Sequence, residues 1–347
     1  MIATDSTLEN EAERLFRSLM HVDCDPQGRK WNLDTCREIA PLTLEINRLK
    51  QEKDAVILTH SYVEPEIIYG VGDFKGDSYY LSEMAKKSQA KIIVFAGVVF
   101  MAETAKILSP QATVVVPDRH SGCSLADSID GEGVRKLKAL YPEATVVCYI
   151  NSTAEVKAES DVCVTSGNVY HIVAGLPSSQ VIFVPDRLMA DNVRSELKRR
   201  GVTKEIISSD GTCVVHDRFT PDQVAQARRQ FPGLKVVAHP ECTADVAAIA
   251  DFVGSTGAMM KYVKSTNAPY YLMLTECGLV SRLQAESPEK SFIGGCRLCP
   301  YMKMNSLEKV RDALLAPRPD QIITLDENLR RRAARCIERM FELAPAN

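Results

Sequence analysis

Three cysteines, Cys123, Cys213 and Cys299, are the residues whose spacing first indicates chemistry. They are 90 residues apart (from 123 to 213) and 86 residues apart (from 213 to 299). A repeated unit that ends each copy with a thiol can bring three thiolates to one pseudo-threefold axis. Three thiolates around one point favour an iron–sulfur cluster in which one iron has no protein ligand and is open for chemistry.

The residues around these cysteines agree with that interpretation but leave alternatives open. Gly122 and Gly211 allow close backbone approach to a bulky inorganic group, and a proline follows Cys299, as in ferredoxin cluster ligands. The pair Cys296-x-x-Cys299 could instead be a redox dithiol or half of a zinc site. All of these thiols could also be incidental. Cys148 and Cys163 lie in apolar runs and are predicted to be core residues.

A second set of polar residues follows three of the predicted strands, at alternating positions. The carboxyl ends of parallel strands form the binding crevice of an α/β protein, so these side chains are candidates for substrate contact. His239 and Glu241 together supply a proton shuttle near neutral pH and a carboxylate base. The pairs are His60 and Tyr62, Tyr149 and Asn151, and His239 and Glu241.

Small turns of hydroxyl residues and glycine form a third set. Such turns present hydroxyls and backbone N–H groups to carboxylates or phosphates at the start of a helix, although they also serve as simple helix N-caps. They contain Ser78, Ser166 and Thr256, in the segments Gly76–Ser78, Ser166–Gly167 and Ser255–Gly257.

The elements that must position these residues repeat along the chain. The apolar run 54–58 has counterparts at 144–148 and 234–238, each offset by 90 residues. Short β-branched runs alternate with helical patterns, which is typical of βαβ units and parallel sheets. We therefore predict an α/β fold of three pseudo-threefold-related, three-layer α/β/α domains with parallel sheets around a central active site. The alternative is a single doubly wound sheet in which the 90-residue offset is coincidental.

The predicted domain boundaries follow from this repeat. Residues 1–50 are a helical segment packing on the first domain, and 51–122 are the first repeat, joined by the C-terminal residues 300–347. Residues 123–212 and 213–299 are the second and third repeats. The first copy is predicted to hold an insertion of some twenty residues around Tyr69–Lys87.

Composition excludes several classes of function. The 347-residue chain has a net charge of −3 and a pI of about 6.1, so no overall field attracts nucleic acid or anionic lipid. No apolar stretch approaches the roughly 18–20 residues that span a bilayer, and the acidic N-terminal segment contains no signal core. We expect a cytoplasmic protein (plastid only if a transit peptide has been removed), with its eleven cysteines as thiols rather than disulfides. There is no nucleotide-binding P-loop, and Gly70-x-Gly72-x-x-x-Gly76 does not fit the dinucleotide fingerprint.

The residues above resemble quinolinate synthases, the 4Fe–4S dependent family of NAD biosynthesis. The resemblance runs from about Asp54 to Asn305 and is specific because many short motifs occur in the same order. The matching segments are His60–Tyr62, Gly76–Ser78, Ala102–Pro110, Gly122–Leu125, Tyr149–Ser152, Val164–Ser166, Cys213–His216, His239–Glu241, Val253–Thr256 and Cys299–Met302.

The resemblance implies a transferase-type synthase that condenses iminosuccinate with dihydroxyacetone phosphate to give quinolinate, phosphate and water. It implies a 4Fe–4S cluster with Cys123, Cys213 and Cys299 as its three ligands and one open iron that acts as a Lewis acid in dehydration. It also implies a functional link to L-aspartate oxidase and to iron–sulfur assembly proteins. Substrate-binding positions carry over to His60, Ser78, Tyr149, Asn151, Ser166, His239, Glu241 and Thr256.

On this basis we expect Glu241, Tyr62 and His239 to be the catalytic residues, with Glu241 and Tyr62 transferring protons. Some family members have a third cysteine near the position of Cys299, but this chain has only Cys296 and Cys299 there. Whether these two cysteines form a regulatory disulfide is therefore left open. Two other functions remain as alternatives. One is another three-thiolate iron–sulfur reductase or dehydratase, similar to hydroxymethylbutenyl diphosphate reductase. The other is a zinc or thiol binding protein without catalysis.

Overall fold

The computed structural model describes residues 5–23, 25, 28–294 and 297–344, and its strands form three parallel sheets of four. In each sheet the strands are ordered second, first, third and fourth along the chain. This confirms the predicted α/β class with three sheets and shows that the single doubly wound sheet was wrong. The sheets are β2-β1-β3-β4, β6-β5-β7-β8 and β10-β9-β11-β12.

The strands are short, and the inner ones are almost completely buried because helices cover both faces of a parallel sheet. Their bounds are β1 (Ala55–His60), β2 (Phe74–Gly76), β3 (Ile92–Ala96), β4 (Thr113–Val115), β5 (Thr145–Tyr149), β6 (Val162–Val164), β7 (Gln180–Val184), β8 (Glu205–Ser208), β9 (Lys235–Ala238), β10 (Phe252–Val253), β11 (Tyr271–Leu274) and β12 (Phe292–Ile293).

Helices follow most of the strands, and two precede the first. No helix within the described ranges combines the length and apolar character that crossing a bilayer requires. Their bounds are α1 (Asp5–Leu19), α2 (Leu33–Lys53), α3 (Pro65–Gly70), α4 (Ser78–Lys87), α5 (Val99–Leu108), α6 (Gly131–Leu140), α7 (Ala154–Ala158), α8 (Val169–Gly175), α9 (Arg187–Arg199), α10 (Pro221–Gln230), α11 (Ala244–Ile249), α12 (Thr256–Ser265), α13 (Cys277–Glu286), α14 (Leu307–Leu315) and α15 (Glu327–Leu343).

The expected insertion around Tyr69–Lys87 was wrong. These residues form β2 and α4, which occupy the place that β6 and α8, and β10 and α12, occupy in the other copies. The fourth strands β8 and β12 were also not predicted.

One hydrogen bond occurs at the same place in all three sheets and defines their equivalent positions. A carboxylate just before the second strand accepts a hydrogen bond from a backbone N–H of the first strand, at 2.8 to 2.9 Å. The pairs are Asp73 with Ile57, Asp161 with Val146, and Asp251 with Val236. In every copy, the two polar residues of the predicted pair lie three and five positions after the residue whose N–H donates. Ser78, Ser166 and Thr256 each lie five positions after the aspartate of their own copy.

The chain divides into two compact units. The first unit is Met1–Ser121 with Glu276–Thr324, and the second unit is Gly122–Thr275 with Leu325–Asn347. In the first unit α1 packs on α2 around a buried group that includes Leu15, Leu19 and Trp31, and α14 also packs on α2.

The C-terminal residues are divided between the units, whereas the prediction placed all of 300–347 with the first repeat. In the second unit α15 packs against α7 and β6. Arg332 donates to Glu159 across this contact at 2.5 Å, and the Cys336 sulfur lies 3.5 Å from that of Cys148. The long amphipathic helix α15 therefore completes one face of the second sheet.

The repeated aspartate predicts a pH effect on stability. Burial acts to raise the pKa of Asp251, but the Val236 N–H, Lys235 and Arg228 outweigh it and hold the pKa below the ordinary 3.8. The carboxylate form therefore stabilises the fold at pH values above the unfolded pKa, and this contribution disappears as the pH falls through the folded pKa. We expect Asp251→Asn, which keeps an acceptor oxygen, to be less stable than wild type near neutral pH, with a difference that shrinks as the pH falls below 3.8. Urea unfolding across this range measures the difference, and a difference that stays constant with pH would contradict the assignment.

Candidate functional site

Glu241 is the centre of the polar cluster in the second unit. It is 3% exposed, and its two oxygens have different partners. The Tyr149 hydroxyl donates to Oε1 at 2.6 Å, with the Asn151 amide at 3.4 Å from the same oxygen. The His216 Nδ1 lies 2.9 Å from Oε2 and donates to it. The structure thus brings two predicted residues of the second repeat, Tyr149 and Asn151, onto the buried Glu241 carboxylate of the third.

The charge state of Glu241 follows from these donors. Burial alone would raise its pKa, but His216 and the hydrogen bonds from His216 and Tyr149 outweigh burial and hold the pKa well below its usual range. Glu241 is therefore a carboxylate at neutral pH, and it is available to accept a proton from a group placed beside it.

Two predicted histidines have the same hydrogen bond and hence the same tautomer. His239 Nδ1 accepts from the Glu241 N–H at 3.4 Å, and His60 Nδ1 in the first unit accepts from the Tyr62 N–H at 3.3 Å. A neutral ring that accepts at Nδ1 carries its proton at Nε2 and can donate it. Burial lowers the pKa of His239 to about 3, so this ring is neutral at physiological pH.

Buried side chains hold the loops that carry Glu241 and Asn151. The Asn192 amide donates to the carbonyls of Pro240 and Cys242, both at 2.8 Å, which are the residues on either side of Glu241. The Lys157 ammonium does the same for Asn151, donating to the carbonyls of its two neighbours, Ile150 and Ser152. Sequence reasoning missed both, because neither residue lies near a strand end or in a recognisable motif.

His216 is a further site residue that sequence reasoning missed. The segment Cys213–His216 was matched to the family without a role for His216, yet His216 contacts Glu241 and lies 3.1 Å from the Cys213 sulfur through Nδ1. Its Nε2 lies 3.0 Å from the Thr275 hydroxyl oxygen, and its ring stacks on that of His239 with centroids 4.6 Å apart. The ligand atoms of Cys213, His216 and Glu241 all lie within 4.8 Å of one another, so this group could hold a metal ion.

The three predicted ligand cysteines have the same local structure. Each begins a turn in which its carbonyl accepts from the N–H four residues later, at 2.9 to 3.2 Å, and a short 3-10 helix begins three residues after it. These three are partly exposed, whereas the other free cysteines of the described residues are buried. The bonds join Cys123 to Asp127, Cys213 to Asp217, and Cys299 to Lys303.

Backbone N–H groups of the Cys213 and Cys299 turns point at the sulfur. Burial raises the pKa of Cys213, and of Cys299 to about 11, while N–H groups two and three residues later act in the opposite direction. The donors are Val215 and His216 for Cys213, and Tyr301 and Met302 for Cys299. N–H groups directed at a thiolate sulfur are typical of cluster ligands, where they stabilise the negative charge.

The cysteine loops are attached to the sheets at equivalent points. The carbonyl two residues before each cysteine accepts from the N–H of the residue that begins the helix after the third strand, at 2.8 to 3.1 Å. In one loop this requires glycine, since a Cβ on Gly211 would overlap Pro185 and Ser128. The pairs are Ser121 with Val99, Gly211 with Arg187, and Arg297 with Cys277.

Within the second unit one hydroxyl joins two of these loops. The Ser124 hydroxyl donates to the Thr212 carbonyl at 3.0 Å and accepts from the Val214 N–H at 3.3 Å, so the residue after Cys123 is bound to both neighbours of Cys213. Cys299 belongs to the first unit.

The predicted hydroxyl residues follow the second strands. Ser78 and Thr256 are the first residues of α4 and α12, and Ser166 follows β6. In the second unit the turns containing Ser166 and Thr256 are adjacent, because a Cβ on Gly167 would lie 3.4 Å from the Ser255 hydroxyl. The contacts above join Tyr149, Asn151 and His239 to Glu241; they do not include these hydroxyls.

The remaining cysteines give a mixed result. Cys148 and Cys163 are core residues, as predicted, and Cys242 is also buried. Cys277 is disulfide-bonded, contrary to the expectation that all cysteines are thiols. Cys296 lies outside the described residues, so a redox pair with Cys299 stays a prediction.

Comparisons with known proteins agree with the resemblance noted in the sequence. The NadA family model, described as quinolinate synthetase A protein, matches residues 44–342. A quinolinate synthase of Caulobacter vibrioides (strain NA1000 / CB15N) is 46% identical over 310 residues, covering 88% of this chain and 83% of the relative. Quinolinate synthase 2 of Mesorhizobium japonicum is 47% identical, covering 84% and 88%, and a quinolinate synthase of Xylella fastidiosa (strain Temecula1 / ATCC 700964) is 44% identical, covering 86% of each chain. The family model and the relatives cover most of the chain, which therefore belongs to the quinolinate synthetase A protein family.

Proposed function

We propose that the chain catalyses quinolinate formation from iminosuccinate and dihydroxyacetone phosphate in NAD biosynthesis, with release of phosphate and water. The observation that carries this proposal is the buried Glu241 carboxylate, bound by Tyr149, Asn151 and His216 beside Cys213, in a chain of this family. The reaction requires several proton transfers at carbon and oxygen, and this cluster supplies an ionised base and neutral donors in a site shielded from water.

The residues present fit a 4Fe–4S cluster held by Cys123, Cys213 and Cys299. Support comes from the three equivalent turns, their partial exposure among buried thiols and the N–H groups directed at two of the sulfurs. With three thiolates, such a cluster supplies one iron without a protein ligand, a Lewis acid that assists the departure of a hydroxyl group.

The chain's own residues divide the remaining work. Glu241 accepts a proton, and the Tyr149 hydroxyl, which donates to it, orients the substrate together with Asn151. Tyr62 is the second proton-transfer residue. The Nε2–H groups of His60 and His239 can donate to substrate oxygens, because both rings accept at Nδ1.

The hydroxyl residues bind the anionic groups of the substrates. Ser78 and Thr256 begin ten-residue helices, where backbone N–H groups and the helix dipole favour anions. With Ser166 they would bind the carboxylates of iminosuccinate and the phosphate of dihydroxyacetone phosphate.

A zinc site formed by Cys213, His216 and Glu241 is the competing interpretation, because these donors already lie together. A zinc ion there would occupy the carboxylate that the proposed reaction needs as a base. A chain that holds zinc in this way would be a zinc-binding protein without catalytic activity.

The test is an anaerobic assay of the purified chain with dihydroxyacetone phosphate and iminosuccinate, which L-aspartate oxidase generates in the reaction. Mass spectrometry should detect quinolinate that depends on both substrates and on the chain, with phosphate released in equal amount. Cluster-containing protein that forms no quinolinate would overturn the proposal. A requirement for an added reductant would favour the reductase alternative.

A further inference from the structure

Glu276 in the first unit is a buried carboxylate that the proposed mechanism does not use. Glu276 is 0% exposed and is the N-cap residue of α13. Its Oε2 accepts a hydrogen bond from the Gly278 N–H at 2.6 Å. Its other oxygen, Oε1, accepts from the backbone N–H of Cys299 at 3.2 Å. Glu276 therefore binds directly to the backbone of a proposed cluster ligand.

Lys303 connects this carboxylate to the loop that carries Tyr62. Its ammonium lies 3.3 Å from Glu276 Oε1 and donates to the Tyr62 carbonyl at 2.7 Å. Its backbone N–H donates to the Cys299 carbonyl at 3.2 Å. One lysine thus bonds both to the cysteine turn and to a residue expected to transfer protons.

The start of α13 is pressed against the same loop. A Cβ on Gly278 would lie 2.7 Å from the Tyr62 Cα and 2.9 Å from the Ser61 carbonyl oxygen, so only glycine permits this approach. Three segments separated in sequence, around Tyr62, Glu276 and Cys299, therefore meet at one ion pair, in which Glu276 is buried and Lys303 is partly exposed.

A buried ion pair seldom adds net stability, because desolvation of both charges offsets their attraction. Burial raises the pKa of Glu276, and Lys303 and the N–H groups of Gly278 and Cys299 offset this only in part. Hydrophobic residues could fill this space at similar stability, but they could not accept from the Cys299 N–H or donate to the Tyr62 carbonyl. The hydrogen bonds of the pair, rather than its charge alone, hold the two loops.

We propose that Glu276 and Lys303 are positioning residues that fix the Cys299 turn relative to the Tyr62 loop. This inference rests on the proposed function in so far as Cys299 is a cluster ligand. It predicts that the pair slows the loss of iron from the cluster and affects the reduction potential of the cluster. Both effects would be separate from any effect of the pair on folding.

The test uses Glu276→Gln, Lys303→Met and the conservative Lys303→Arg, with Glu286→Gln as matched control. Glu286 pairs with Arg282 at 2.8 Å on the same helix. Iron loss to a chelator under anaerobic conditions should be about 10–100-fold faster in Glu276→Gln and Lys303→Met, with Lys303→Arg close to wild type. Because Glu276 accepts from the Cys299 N–H, Glu276→Gln should also shift the cluster's reduction potential and change its electron paramagnetic resonance spectrum.

Hydrogen exchange of residues 297–303 in cluster-free protein provides a readout independent of the cluster. Exchange should be faster in Glu276→Gln and Lys303→Met than in wild type or Glu286→Gln. Variants that unfold at lower temperature but keep wild-type iron retention, potential and local exchange would show a merely structural pair and overturn the inference. Wild-type protein that never holds iron and sulfide would instead overturn the proposed function, and the exchange experiment would still decide whether the pair fixes this turn.

Discussion

Replacement of Cys123, Cys213 or Cys299 with alanine is expected to abolish quinolinate formation and to remove bound iron and sulfide. The reason is that each thiol begins the same turn, two residues after a carbonyl that is bonded at an equivalent point of its repeat, and a cluster held by three thiolates has no replacement for a lost ligand. All three variants should lose the cluster and the activity together, measured as iron, sulfide and product per chain in anaerobic preparations. Serine at the same positions should restore neither fully, since its hydroxyl is a poor ligand for iron.

Cys36→Ala is the matched control for this series. Cys36 is a free, buried thiol of α2 in the first unit, and burial raises its pKa to about 11, as expected for a core residue. The control should keep the cluster and the activity at the cost of some stability. A ligand variant with wild-type iron, sulfide and product would contradict the ligand assignment at that position.

Glu241→Gln is expected to lower kcat by about 10²–10⁴-fold while the cluster remains bound. Glutamine has nearly the same shape but cannot take a proton, and its amide cannot accept from both Tyr149 and His216 as the carboxylate does. The loss should therefore appear in kcat more than in KM. Tyr149→Phe, which removes one donor and leaves the carboxylate, should have a smaller effect of the same kind.

The control for Glu241→Gln is Glu196→Gln, a carboxylate of α9 in the same unit that pairs with Arg199 and Arg200 at the surface. It should leave kcat and iron content unchanged. Full turnover by Glu241→Gln with an intact cluster would rule out Glu241 as the base.

Much of the fold could be predicted because buried parallel strands are continuous apolar runs. β1, β5 and β9 contain such runs at a constant offset, and the polar residues that follow them, from His60 to Glu241, stand out by contrast. The cysteines were found through the same offset. What the offset could not show is the local structure that makes them equivalent, the turn that begins at each thiol.

The parts that could not be predicted depend on contacts across long stretches of sequence. Lys303 and Tyr62 are 241 residues apart, and Asn192 reaches carbonyls 48 and 50 residues away. Nothing in the residue types around Asn192 distinguishes a buried amide from a surface one. β2 was misread as part of an insertion because three residues are too few to show a period of two.

The central claim, that the three cysteine turns hold one iron–sulfur cluster in a working enzyme, is tested most directly by elemental analysis of anaerobically purified protein. Iron, acid-labile sulfide and zinc are measured per chain in the preparation that is assayed for quinolinate. The account predicts about four irons and four sulfides per chain in active protein, with little zinc. Zinc without sulfide would contradict it and would assign Cys213, His216 and Glu241 to a structural metal site.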